Sequence, residues 1–176
     1  MKKAGNIAFG AIMSALCVVV MLGSHFLYLT YAIPPIAAMF IMVVVIELGT
    51  RWAFATYVAA SVITILFAEP ESALFFVLIF GYYPIIKVPI ERLHSRLLRL
   101  LCKLGVFNAA VAAIYFVFLR LMGIDSGYGG YSLYLIGGIW VIANAIFFLY
   151  DAQIIKLSNW YMVRFHDRVQ RYLKKR

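Results

Sequence analysis

Side chains able to recognise a small molecule are concentrated around three loops of this chain and in the apolar segment that follows the third loop. Aromatic and apolar side chains line most small-molecule pockets, and a few polar or charged groups fix the orientation of the ligand. We therefore predict a substrate-binding set that combines both kinds of side chain. Its members are His25, Tyr28, Glu69, Arg120, Asp125, Tyr128, Tyr131, Trp140 and Asn144.

Ordinary structural roles compete with this prediction. Tyrosines at such places are also typical of the aromatic belt at a membrane surface. Arg120 could pair with Asp125 alone, or it could neutralise an anionic ligand. Asn108 and Asn144 could each form a hydrogen bond between helices, or Asn144 could form the floor of a cavity that opens outward.

Motifs for catalysis and metal binding do not accompany these residues. The sequence has no His-x-x-x-His pair, no Gly-x-Ser-x-Gly turn and no phosphate-binding loop. We therefore predict that the chain is not an enzyme and holds no metal or cofactor. Three carboxylates near the predicted inner helix ends are expected to pair with Lys or Arg side chains, which reach the interface. They are Glu47, Glu91 and Asp151.

The composition is that of a membrane protein. Hydrophobic residues make up 65% of the chain and charged residues 13%, whereas soluble domains carry about 25% charged residues. We predict one domain over residues 1–176, an all-α integral membrane bundle of six transmembrane helices. A kink is expected in the fourth helix near Pro84. The predicted helices cover residues 6–22, 33–48, 52–67, 73 onward, 104–122 and 133–150.

Basic residues alternate between the gaps of this pattern. Nearly all of the 16 Lys and Arg residues lie in every second gap, and the other gaps contain only Arg120. Short cytoplasmic loops retain Lys and Arg. The alternation therefore predicts an even number of spans with both termini in the cytoplasm.

Two basic stretches are predicted to form amphipathic helices at the inner membrane surface. One begins with Arg92 and Arg96, and the other is the tail over residues 158–176. Basic amphipathic helices bind anionic lipid headgroups, and they also suit a protein partner. A nucleic-acid partner is not expected, since no groove-reading motif accompanies the positive charge.

Small residues form a stripe along the first predicted helix. They are Ala4, Ala8, Ala11 and Ala15. Small side chains let a second membrane helix approach closely. The stripe therefore predicts a docking face for a partner, unless it packs within the bundle.

These features together resemble the substrate-binding S component of energy-coupling-factor transporters. The resemblance rests on six short helices, a basic start, Ala11-x-x-x-Ala15 in the first helix and a chain of under 200 residues. It implies that the alanine motif docks a transmembrane coupling subunit driven by two cytoplasmic ATPases. It also implies a vitamin or related micronutrient as the small-molecule substrate, bound near the outer surface, and a location in the bacterial cytoplasmic membrane.

Two other functions are compatible with the same residues. A scaffold similar to the membrane subunits of rod-shape morphogenesis would use the alanine stripe and the basic helices to bind proteins, without a ligand. A lipid-modifying enzyme or flippase would depend on the carboxylates Glu47, Glu91 and Asp151.

Overall fold

The computed structural model describes residues 2–27, 29–121 and 133–175, and these residues contain helices and no strand. The helices are α1 (Lys2–Leu22), α2 (Ser24–Leu27), α3 (Ile33–Leu48), α4 (Thr50–Phe67), α5 (Pro70–Phe75), α6 (Tyr83–Glu91), α7 (Arg96–Leu121), α8 (Leu133–Tyr161) and α9 (Asp167–Lys175). Two π-helical segments, Phe76–Phe80 and Met162–His166, follow α5 and α8. The predicted all-α class is confirmed for this part of the chain.

Several helices are long and apolar enough to cross a membrane. Five such segments are found among the described residues, namely Ala4–Leu22, Thr50–Phe67, Pro70–Glu91, Arg96–Val117 and Gly137–Arg171. The helix Ile33–Leu48 is apolar as well but has only 16 residues, and a full span takes about 20. By length and composition, the chain is a multi-pass membrane protein.

The basic stretch after α6 differs from its prediction. We expected a separate amphipathic helix before a span beginning at residue 104, but α7 runs without interruption from Arg96 to Leu121. Neither proline nor glycine occurs between Arg96 and Lys103 to end the helix. The basic residues of this stretch therefore belong to the first turns of α7.

The fourth predicted helix is interrupted at the place where the kink was expected. The π-helical segment and a turn at Gly81 and Tyr82 separate α5 from α6, and the Gly81 amide donates a hydrogen bond to the carbonyl oxygen of Phe76 at 2.7 Å. Pro84 lies in the first turn of α6. An N–H group there would have no acceptor within the helix, so its absence in proline costs little.

Helix α3 lies at the centre of the bundle and contacts α1, α4, α6 and α8. Its side chains Ala37, Ala38, Ile41 and Val44 are fully buried. Small alanines let the neighbouring helices approach closely. The reversal into α4 takes place at Gly49, whose φ of 87° lies in the left-handed region that glycine adopts without strain.

Both ends of the described chain lie at one end of the bundle. The short connection over residues 23–32 makes α1 and α3 antiparallel, so α1 begins beside the end of α3. Helix α9 contacts α1, and its Gln170 hydrogen-bonds to Glu47 in the last turn of α3. Helix α6 also ends there, and the basic residue Arg92 follows it. We therefore call this end of the bundle the basic end.

Gly81 is the position where an added methyl group should be most harmful. A Cβ there would lie 2.8 Å from the Phe76 carbonyl oxygen and 2.9 Å from the Tyr57 ring. Overpacking of this kind costs about 1–3 kcal/mol, so we expect Gly81→Ala to lower the thermal unfolding temperature in detergent. Gly105→Ala is the matched control, because nothing lies within 4 Å of its Cβ position. The control should be neutral or stabilising, and an equal loss in both variants would contradict the packing assigned to Gly81.

Candidate functional site

A buried ion network joins α6, α7 and α8 at the basic end. Its members are Lys87, Glu91, Arg99, Lys103 and Asp151. Asp151 pairs with Lys87 and, at 2.8 Å, with Lys103. Lys103 also pairs with Glu91 at 2.5 Å, and Arg99 pairs with Glu91 at 3.2 Å. The network therefore gives three different helices a shared electrostatic contact.

The innermost part of the network is well shielded. The side chains of Lys87 and Asp151 are each 9% exposed, and that of Lys103 is 10% exposed. Tyr83 lies beneath them and donates a hydrogen bond to Asp151 Oδ1 at 2.6 Å. A buried charge without a partner is costly, so these groups hold one another in place. The pair of Arg99 and Glu91, in contrast, is about one-third exposed.

The sequence predicted part of this arrangement. Lys or Arg partners were expected for Glu91 and Asp151, and the structure confirms them. Lys87 and Lys103 were expected in a cytoplasmic gap, but they lie buried within α6 and α7. Tyr83 was not predicted as a member, although Tyr83, Lys87 and Glu91 recur every four residues on one face of α6.

Glu47 forms a second polar centre at the basic end. Its side chain is 0% exposed. Among the described residues its partners come from the carboxyl-terminal segment: Tyr161 Oη at 2.8 Å, Gln170 Nε2 at 2.9 Å and His166 Nδ1 at 3.1 Å. Among the side chains that the structure describes, Glu47 has no Lys or Arg partner, and the tail folds back and supplies these groups instead.

A third polar group links the membrane-embedded parts of α7 and α8. Asn108 Nδ2 donates to Asn144 Oδ1 at 3.2 Å, and Trp140 Nε1 donates to Asn108 Oδ1 at 2.6 Å. Asn144 also donates to the backbone carbonyl of Trp140. The helix-to-helix role considered for Asn144 is therefore present. Trp140 is 53% exposed whereas Asn144 is buried, so the two predicted site residues lie together and only Trp140 is at the open surface.

Three further members of the predicted substrate-binding set belong to elements at the opposite end of the bundle. His25 lies exposed in α2, and Glu69 accepts a hydrogen bond from Thr30 at 2.8 Å. The backbone of Arg120 belongs to α7, but its side chain is not described. Between the described side chains of His25 and Glu69 there is no hydrogen bond or ion pair. Four predicted members lie outside the described residues: Tyr28, Asp125, Tyr128 and Tyr131.

Two hydrogen bonds tie the first two loops together at that end. Besides Thr30 and Glu69, Tyr31 donates to Glu71 at 3.2 Å. The negative charge of Glu71 raises the pKa of the Tyr31 phenol, which therefore remains protonated and able to donate. The pairing holds the loop before α3 against the start of α5.

The alanine stripe of α1 faces away from the bundle. All four of its predicted members, Ala4, Ala8, Ala11 and Ala15, are exposed. The face of α1 that packs inward is a different one, with Gly10, Ser14, Cys17 and Met21 buried. Packing of the stripe within the bundle, the alternative considered for it, is therefore wrong. Arg92 and Arg96 are exposed as well.

No protein-family model matches the chain, and no curated protein or solved structure matches it. Within the described ranges, no group of three or more His, Cys, Asp and Glu side chains is arranged to hold a metal ion. Function is therefore inferred from the residues and their geometry alone.

Removing one member of the buried ion network should be strongly destabilising. Asp151→Asn leaves the ammonium group of Lys87 without a countercharge and leaves Lys103 with Glu91 alone, and breaking a buried pair costs about 3–5 kcal/mol. We expect a large fall in the unfolding temperature of the protein in detergent. Arg99→Ala breaks a pair about one-third exposed and should cost at most about 1 kcal/mol. Similar losses for the two variants would show that burial does not govern the network.

Replacing Glu47 should loosen the carboxyl-terminal segment. Glu47→Leu removes the acceptor for Tyr161 and Gln170, so α9 loses its polar attachment to α3. We expect faster tryptic cleavage at Arg164, Arg168 and Arg171, read out by mass spectrometry of the released peptides. Glu71→Leu, at the opposite end of the bundle, is the control. An unchanged cleavage rate in Glu47→Leu would mean that apolar contacts alone hold the tail.

Proposed function

We propose that this chain is the substrate-binding membrane subunit of an energy-coupling-factor type importer for a vitamin or micronutrient. In this role it captures a small solute at the outer face and docks a transmembrane coupling subunit through α1. Partner ATPases in the cytoplasm supply the energy, so the chain itself needs no catalytic residue. The observation that carries the proposal is the exposed alanine stripe of α1.

Two opposite faces give α1 the form expected of a docking helix. One face is buried against α3 and α4, where a Cβ at Gly10 would lie 3.1 Å from Thr56 Oγ1. The other face carries Ala8, Ala11 and Ala15, whose side chains are exposed. Lipid tails are as apolar as any side chain, so membrane helices associate through close packing, which small residues permit. A second helix that covered this stripe would gain such packing.

The charge pattern supports an orientation with the basic end in the cytoplasm. Arg51, Arg92, Arg96 and Arg164 are exposed, and cytoplasmic loops are enriched in such residues. In the bacterial cytoplasmic membrane this orientation points the basic end toward the proposed ATPases. Arg92 and Arg96 then lie on the same side of the membrane as the inner end of the alanine stripe, and we assign them to the docking surface.

The opposite end is the proposed entry side for the substrate. It carries His25, Glu69 and the end of α7 at Arg120. The proposed pocket also includes, from the sequence alone, the four predicted members outside the described residues. Aromatic and polar side chains around a small solute are what a binding pocket requires. The polar group of Asn108, Trp140 and Asn144 supports this role, since it lies on the segments that lead from that end into the bundle.

Association with the coupling subunit should depend on the alanine stripe. Ala11→Leu and Ala15→Leu place a larger side chain between the helices, and we expect about a tenfold or greater loss of the co-purifying partner, equivalent to at least about 1.4 kcal/mol. The measurement is affinity purification from native membranes in mild detergent, followed by mass spectrometry of proteins and small molecules. Ala59→Leu is the matched control, because Ala59 is exposed on a different helix, α4.

Each outcome of this purification is informative. A membrane coupling subunit with two ATPases, lost in the stripe variants and retained in the control, would support the proposal, and a retained metabolite would name the substrate. Envelope-assembly proteins in place of a transporter would refute it in favour of a scaffold. Unfolding of the stripe variants but not of Ala59→Leu would show that the stripe stabilises this chain itself.

A further inference from the structure

A groove opens between α3, α6 and α8 at the basic end of the bundle. Its volume is about 320 Å³, and apolar side chains such as Val45, Val88 and Ile155 form most of its walls. Polar groups line it as well, among them Lys87, Ser158 and Asn159. The groove thus combines an apolar wall with hydrogen-bond donors beside the buried ion network.

The charge around the groove is positive. Within the described residues, the ion network sets three cationic groups against two carboxylates, which leaves one positive charge. Glu91 also lines the groove, but its carboxylate is paired with both Arg99 and Lys103. The exposed Lys156, which directly follows Ile155 on α8, adds a positive charge at this end, and Glu47, which directly follows Ile46 on α3, adds a negative one, so one net positive charge remains.

Lys87 has donor capacity left for a ligand. Its hydrogen bonds among the described residues go to the side chain and the backbone carbonyl of Asp151. An ammonium group carries three N–H donors. One donor therefore remains beside the groove, where the hydroxyl of Ser158 and the amide of Asn159 add neutral donors.

The groove lies toward the basic end of the bundle, which the proposed orientation places at the cytoplasmic membrane surface. Its α3 wall is formed by Met42, Val45 and Ile46, and its α6 wall by Pro84, Lys87, Val88 and Glu91. Small-molecule pockets range from about 300 to about 1,000 Å³, so a groove of about 320 Å³ accommodates a headgroup and part of one chain rather than a second helix.

We propose that this groove binds a phospholipid with an anionic headgroup. The phosphate lies against Lys87, Ser158 and Asn159, and an acyl chain covers Val45, Val88 and Ile155. Positive charge next to an apolar wall selects this amphiphile over a zwitterionic lipid, because the network has a net charge for the headgroup to neutralise. The site is separate from the alanine stripe and from the entry side, so it does not depend on the transport role.

The test is lipid competition on the full-length protein. After delipidation in detergent, the protein is incubated with equal amounts of dioleoyl-phosphatidylglycerol and dioleoyl-phosphatidylcholine, and bound lipid is counted by native mass spectrometry. We expect the anionic lipid to be retained several-fold in excess. Ile155→Trp fills the groove and should abolish the excess. Ile146→Trp is the matched control, since it lies nine residues earlier on the opposite face of α8 and is also exposed.

The outcomes distinguish lipid bound in the groove from lipid bound elsewhere on the protein. Equal retention of both lipids by the wild type would overturn the proposal, and so would an excess that survives Ile155→Trp, since that excess would arise on the exposed basic surface. If Ile155→Trp fails to fold, Asn159→Leu removes a donor at an exposed position and should reduce the excess. If Ile155→Trp still co-purifies with the coupling subunit, the lipid site and the transport proposal are tested independently of each other.

Discussion

The pairing of Asp151 with Lys87 and Lys103 determines how α6, α7 and α8 meet at the basic end. Burying any one of these charges alone would cost free energy. The ion pairs offset this cost only when the three helices are correctly placed. Tyr83 completes the arrangement through its bond to the same carboxylate. The groove between α3, α6 and α8 exists because this network sets the position of its polar side.

Helix α3 has a corresponding role for the other half of the bundle. Its alanines bring α1 and α4 close, while Glu47 at its end receives the returning tail. The tail therefore rests on the same helix that positions the inward face of α1. With that face held in place, the alanine stripe points outward, where a partner helix can reach it.

Three surfaces with different chemistry result from this arrangement. The stripe on α1 suits a close-packing membrane helix, the basic end suits anionic lipid, and the opposite end carries His25 and Glu69 of the predicted recognition groups. In the proposed role as a binding subunit, this separation would keep the contact with a solute from obstructing the contact with a partner.

Much of the fold could be predicted from the chain because helices and membrane spans depend on local composition. The apolar segments, the break before Pro84 and the small-residue spacing of α1 are all properties of neighbouring residues. Partner choice is not local: Asp151 lies 48 positions from Lys103 and 64 from Lys87, and Glu47 lies 114 positions from Tyr161. Spacing along the chain placed Tyr83, Lys87 and Glu91 on one helix face, but only the tertiary structure decided which charges that face would meet. For the same reason the sequence predicted the alanine stripe, and packing against α3 and α4 decided that it faces outward.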